Sequence, residues 1–249
     1  MLLDNFPFVL WINLDRSIER RATMEAQLDT HKLSNTRIQA IDATDTALMA
    51  SVCIPNPNQS LAVNACICSH LKALRYFVEE TREPRVVIFE DDADFAFLPF
   101  ILFSWSEFES YLPANWGLVQ LAITYLRGRV EHTLTPVNPS KRYYCAAAYM
   151  ITRKSAQLLL DCYYSKVTKM YSIINQPFAT ADSMIVSVPK AYAIPIFTYG
   201  TSESTIHSDH LSWHSQSKHK QLAHWLFIKK NWSECRHTYF ANMRAVAQI

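Results

Sequence analysis

Arg85-Val-Val-Ile-Phe-Glu-Asp-Asp-Ala-Asp94 is the stretch on which the reading of this chain turns. Val86 to Phe89 are apolar without alternation. That suits a strand covered on both faces, as in the middle of a parallel sheet. The run ends in four carboxylates within five positions: Glu90, Asp91, Asp92 and Asp94. Open α/β sheets bind ligands beyond the carboxyl ends of their strands. Acids crowded there repel one another unless a cation joins them. A hard divalent ion such as Mg²⁺ or Mn²⁺ takes oxygen ligands and bridges to phosphates. The plainer alternative is a solvated acidic turn, since acids often follow strands.

Composition narrows the classes. The chain has 249 residues, 49% hydrophobic and 18% charged, enough for one large α/β domain with a substantial core. A formal net charge of +2 offers no bulk attraction for nucleic acid. Only three glycines occur, at 117, 128 and 200, so a glycine-rich phosphate loop is excluded. Phosphate must then be held by metal, by Arg or Lys, or by helix N-termini. Six cysteines at 53, 66, 68, 145, 162 and 235 show no paired zinc-site spacing. They fit small buried residues in a reducing, cytoplasmic setting. Met1–Phe8 lacks a basic n-region, and no run reaches the roughly 18 apolar residues of a membrane span.

Upstream of the acidic stretch, Phe8–Leu14 reads as a first buried strand. Ser17 is placed to cap a helix running to about Leu28. Arg16, Arg20 and Arg21 crowd its first turn, where a positive charge opposes the helix dipole. Such local conflicts often mark a site, here for an anion. Thr36–Ala43 alternates as a second strand, and Asp42 at its end is placed to meet a ribose or base edge. Asn64–Glu80 is a strong amphipathic helix, with Ser69 and His70 in its early turns. His70 beside an apolar stripe is also what a packed structural histidine looks like.

Downstream, Trp116–Ala122 and Tyr143–Thr152 read as strands, Ser155–Tyr164 as a helix, Thr180–Val188 as a short helix and Tyr192–Phe197 as a last strand. The alternation of strands and helices predicts an α/β fold with a mainly parallel, Rossmann-type sheet flanked by helices. Residues 1–199 form the expected catalytic domain, and residues 200–249 an expected helical or irregular tail. That tail carries five histidines between 207 and 224, with Trp213, Trp225 and Trp232 among lysines. An aromatic, basic segment of this kind can cover the domain's own core or make peripheral contact with an anionic membrane.

Several of these segments, taken in order, resemble glycosyltransferase family 25. They are Trp11-Ile-Asn-Leu-Asp-Arg-Ser17 with Glu19-Arg-Arg21, Ile38-Gln-Ala-Ile-Asp42 and Ala65-Cys-Ile-Cys-Ser-His-Leu71. Val87-Ile-Phe-Glu-Asp-Asp92 and Ala148-Tyr-Met-Ile-Thr-Arg-Lys-Ser-Ala156 complete the set. The resemblance runs from about Phe8 to Phe197. It departs at Ala65, where the family usually has Gly, and fades in the tail. It implies a GT-A fold, a UDP-sugar donor, a glycan or glycoconjugate acceptor, Mn²⁺ or Mg²⁺, and inversion, with galactose the commonest sugar.

Under that resemblance the donor side comprises Asn13, Leu14, Asp15, Arg16, Arg20, Arg21, Asp42, Ser69 and His70. The expected metal ligands are Asp92, Asp94 and His207. The expected catalytic acids are Asp182, Glu90 and Asp91, with Asp182 as the base. Glu90-Asp91-Asp92 and Asp92-Ala93-Asp94 both satisfy an acid-x-acid pattern, so the register stays open. Two rivals stand beside this reading. One is a haloacid-dehalogenase-type phosphatase, which also places Asp-x-Asp after a buried strand. The other is an inactive carbohydrate-binding homologue.

Overall fold

The computed structural model describes residues 1–124, 132–137, 145–175, 180–200 and 211–247. The chain opens with β1 (Val9–Asn13), α1 (Ile18–Thr30) and β2 (Asn35–Gln39). Next come α2 (Thr46–Val52), β3 (Cys53–Ile54) and α3 (Leu61–Glu80), which lead into β4 (Arg85–Glu90). After it follow β5 (Ala93–Asp94), α4 (Trp105–Ser110), β6 (Leu118–Gln120), β7 (Thr135–Pro136), β8 (Ala148–Thr152) and α5 (Arg153–Tyr163). The remainder is β9 (Tyr171–Ser172), α6 (Ala181–Ile185), β10 (Ala191–Ala193), β11 (Thr198–Tyr199), α7 (Leu211–Lys230) and α8 (Trp232–Ala247).

Seven strands form one sheet in the order β2-β1-β4-β8-β6-β10-β7. β1 pairs in parallel with β2 and β4, and β6 with β10. β8 lies antiparallel between β4 and β6, and β7 is antiparallel to β10. The sheet is therefore mixed and mainly parallel, with helices on both faces. β1 and β4, the two strands whose ends carry Asn13 and Glu90, are neighbours in its interior.

Two apolar clusters explain the unalternated strands. Val9 and Trp11 of β1, Val87 and Phe89 of β4, and Ala148 and Met150 of β8 point into one cluster. Leu10 and Ile12, Val86 and Ile88, and Tyr149 and Ile151 point into the other. Successive side chains alternate faces, and here each face is a core. The second core is closed by α3 and α5, through Ile67, Leu71, Leu74, Phe77, Ala156 and Leu159. The first is closed by Met24 and Leu28 of α1 and by the aromatics Phe95, Phe97, Trp105 and Phe108. Trp225, Ile228, Tyr239, Phe240 and Met243 of the tail helices belong to the same cluster. Fully burying one such side chain is worth about 1.5–3 kcal/mol.

Boundaries shift where local chemistry differs from pattern. The hydroxyls of Ser60, Ser104 and Thr152 accept from backbone N–H groups three residues on and start α3, α4 and α5. α3 therefore begins at Leu61, one turn before the pattern places it. Ser17 precedes α1 as expected, yet its side chain makes no capping bond. Its carbonyl instead accepts from Asn13 Nδ2 at 3.2 Å, so the end of β1 holds the start of α1. β2 stops at Gln39 rather than near Asp42, because the Ile41 N–H turns to Ser69 Oγ at 2.8 Å.

Candidate active site

The site grows from the ends of β1 and β4. Asn13 is buried and directs its amide in three directions. Its Nδ2 donates to Asp91 Oδ2 at 2.7 Å as well as to the Ser17 carbonyl, and its Oδ1 accepts from Arg37 Nε at 2.9 Å. Arg20, one turn into α1, pairs with the other oxygen of Asp91 at 3.2 Å. Burial and the Glu90 charge push the Asp91 carboxyl up, while Asn13 and Arg20 pull it back. The arginine crowding at the start of α1 is thus met by acids from the neighbouring strand end. Arg16 pairs with Asp42, which also accepts from the Thr44 N–H and hydroxyl.

These elements enclose a pocket of about 140 Å³. Its wall includes Asn13, Leu14, Arg16, Arg20, Ser69, His70, Glu90 and Asp91, with Ala40, Ala43, Ala62 and Ala65 supplying space. Ser69 holds its frame: the hydroxyl accepts from Ile41 N–H and donates to the Ala65 carbonyl at 2.7 Å. Asp15 and Arg21, expected on the donor side, do not line this pocket. Asp15 is engaged by Arg37 and Gln39, which hold its carboxyl low. Arg21 pairs with Glu25 along α1.

A chain of polar groups runs behind the pocket. His70 Nε2 meets Glu90 Oε1 at 2.9 Å, and its Nδ1 meets the Tyr149 hydroxyl at 3.1 Å. Tyr149 comes from β8, paired directly with Ile88 of β4. The ligand atoms of Cys66, His70 and Glu90 lie within 4.8 Å of one another. Burial and the charges of Glu90, Asp182 and Asp92 raise the Cys66 thiol, so it stays protonated. Both imidazole nitrogens are already engaged. The trio is therefore a hydrogen-bonded cluster and a poor closed cage for a cation.

The four acids after β4 divide sharply. Asp91 is held by Asn13 and Arg20. Asp94 is held by Lys218 of α7 at 2.7 Å and by the Ala96 N–H at 2.8 Å. Asp92 differs: its Oδ1 is buried without a hydrogen-bond partner among the described residues. Burial, Glu90 and Asp91 push its carboxyl up to about 7, against the pull of Arg20. An orphaned carboxylate oxygen beside a second acid fits the donor set of a cation. Among the described residues Asp92 alone of the four acids has an orphaned oxygen, and with Glu90, which His70 holds by one oxygen, it makes an acid-x-acid pair in the first register.

Asp182 opens α6 and is buried. Its Oδ2 accepts from the Cys145 N–H at 3.0 Å, and its Oδ1 from the Ser183 N–H at 2.8 Å and the Thr180 hydroxyl. Cys145 has φ of 100°, unusual for a residue with a side chain, and Asp182 holds that turn. Burial foremost, then the charge of Glu90 with smaller contributions from Asp92 and Asp182, raises the thiols of both Cys66 and Cys145. His207 lies outside the described residues.

Sequence reasoning passed over Tyr149, Cys66, Arg37 and Lys218. Tyr149 had a signal: a hydroxyl inside an otherwise apolar strand must find a partner. Arg37 had a weaker one, a charge on a strand next to β1. Lys218 had none, because its partner Asp94 is distant in the chain.

The fold and site define an α/β protein with an acidic, arginine-rimmed pocket at the ends of adjacent parallel strands. The family described as glycosyltransferase family 25 (LPS biosynthesis protein) matches residues 6–174, and the chain belongs to that family. Membership makes it a glycosyltransferase by class and implies a nucleotide-sugar donor and a glycan acceptor. No curated protein matches the sequence. Among solved structures, the crystal structure of A197 from STIV is similar at 13% identity and a TM-score of 0.41, over 78% of this chain and 84% of that one. Family membership speaks against the phosphatase rival, because the family is a transferase family.

Proposed function

We propose that this protein moves a hexose, galactose first among candidates, from a UDP-sugar to a glycan hydroxyl with inversion. In this reading its sheet is the core of a GT-A fold, in which β8 is the antiparallel strand beside β4. The observation that carries the proposal is the buried Asp92 Oδ1, without a partner among the described residues, two positions from Glu90, which lines a pocket with Arg16 and Arg20. Asp92 and Glu90 would hold Mn²⁺ or Mg²⁺, which when bound supplies positive charge for the leaving diphosphate.

The chain's own residues do the rest. Arg16 and Arg20 line the pocket and offer charge-assisted donors to phosphate oxygens. Asn13 keeps Asp91 and the start of α1 in register, so Arg20 is positioned before the donor arrives. The alanine wall admits a flat base or ribose without displacing side chains. Inversion requires a group that takes the acceptor proton on the face away from the leaving group. Asp182 is proposed for that role. A carboxylate has about four lone-pair sites, and three donors occupy Asp182, leaving one for the acceptor hydroxyl. His70 and Tyr149 are positioning residues that orient Glu90.

The test is donor hydrolysis. The protein is incubated with Mn²⁺ and a panel of UDP-sugars, and release of UDP is followed with and without EDTA. Slow hydrolysis of one UDP-sugar, abolished by EDTA, is expected. Undiminished hydrolysis in EDTA would remove the metal from the proposal, and failure to bind any UDP-sugar would overturn it.

A further inference from the structure

α7 mixes polar and apolar residues on both of its faces. Its inward face carries Ser217 and Gln221, both fully buried, beside Trp225 and Ile228. Gln221 Nε2 donates to the Ile123 carbonyl at 2.8 Å and to Ser217 Oγ at 2.9 Å. Trp225 Nε1 donates to the Pro195 carbonyl at 2.9 Å. The outward face carries large apolar groups: Trp213 is 48% exposed, Leu226 45% and Phe227 62%. Trp213, Lys220 and Phe227 recur every seven residues, with Lys230 on the same stripe, and all four are exposed. A surface helix normally keeps large apolar groups off its outer face.

Charge says what this face meets. α7 contains four lysines and no acid. Residues 211–249 hold six Lys and Arg against one Glu, a formal +5. The whole chain is +2, so residues 1–210 are −3. The tail is thus the positive pole of the molecule. Exposed Trp and Phe flanked by lysines along one helix face match an anionic bilayer surface: rings enter the headgroup boundary and ammonium groups meet lipid phosphates.

We propose that the outward face of α7 docks the protein on an anionic phospholipid surface. Lys218 of the same helix pairs with Asp94, two residues after Asp92, so docking also sets how the acidic site is presented to that surface. The inference stands on α7 alone, independently of the transferase reading.

The test is co-sedimentation of the full chain with vesicles of phosphatidylcholine, alone or with added phosphatidylglycerol. Binding to the anionic vesicles only, weakened by salt, is expected. Lys220→Gln and Lys230→Gln should each weaken it about fivefold. Leu226→Ser with Phe227→Ser should weaken it by about tenfold or more, with UDP-sugar hydrolysis and melting temperature unchanged because both side chains point to solvent. Equal binding to neutral vesicles, no binding, or full binding by the serine variant would overturn the proposal. So would light scattering that shows a dimer which the serine variant dissolves, since the face would then serve a second copy.

Discussion

The pocket at the end of β4 and the outer face of α7 break the same rule in opposite directions. In the pocket, carboxylates are drawn into a dry sheet end, where each must find a counter-charge or hydrogen bond. On α7, aromatic and aliphatic groups are pushed into water while Ser217 and Gln221 are buried. The costs also differ in kind. A buried unpaired carboxylate titrates upward or recruits a cation. An exposed Phe costs little by itself and becomes informative only when several align with like charges. The pocket is therefore legible one residue at a time, and the helix face only as a pattern.

The sharpest way to break the contrast is at Asp92. Asp92→Asn should lower transfer about 10³-fold, read as initial UDP release with Mn²⁺, while the far-UV spectrum stays native. Activity within a few-fold of the unaltered protein would mean that the orphan oxygen has no catalytic role.

Asp182→Asn comes next. As the base, its loss should reduce transfer by about 10²–10⁴-fold while donor binding holds. The amide cannot accept at both ends, so the Cys145 N–H loses its partner at a cost of about 1–3 kcal/mol. A destabilised but fully active variant would leave Asp182 with only the turn at Cys145.

The two faces of α7 can be set against each other by denaturant melts. Trp225→Ala empties a fully buried site in the core shared with Phe103 and Tyr239 and should cost about 3–5 kcal/mol. Phe227→Ser, two residues away, should change stability by less than about 0.5 kcal/mol. Similar losses at both positions would mean that the outer face is covered.

A last test of the pocket is a pH dependence of stability in metal-free protein. Asp92 is raised from 3.8 to about 7 in the folded chain. Between those values the folded state keeps a proton that the unfolded chain releases. Its contribution is full below about pH 4, fades as pH rises, and is gone above about 7, a span of roughly 2–4 kcal/mol. Melting temperature in EDTA should fall across this window. Asp92→Asn should flatten the fall, and added Mn²⁺ should restore stability at pH 8. A melting profile identical in both proteins would remove Asp92 as its source.

Much of this was readable along the chain. Val86–Phe89 declared a strand covered on both faces, and the acids after it declared a crowding of negative charge, because apolar runs and like-charge clusters are local facts. α3 was legible from Ile67, Leu71, Leu74 and Val78 at helical spacing. The arginines at the start of α1 were expected to meet an anion; in the folded chain Arg16 and Arg20 pair with the protein's own Asp42 and Asp91. The antiparallel run of β8 was not legible, since a buried apolar strand has the same composition in either direction. Nor was the end of β2, which a hydrogen bond to Ser69 decides.

Local pattern settled which segments are strands and helices, which residues are apolar enough to make two cores, and where negative charge accumulates. Those properties depend on neighbours within a few positions. Only packing settled which of the four carboxylates keeps an orphaned oxygen among the described residues. Asn13, Arg20 and Lys218 reach Asp91 and Asp94 from 78, 71 and 124 residues away, while Oδ1 of Asp92 meets no donor among those residues. Packing also settled which side of α7 faces water. Its polar and apolar residues nearly balance around the helix, so choosing its buried side took the carbonyls of Ile123 and Pro195, which only the folded chain brings to it.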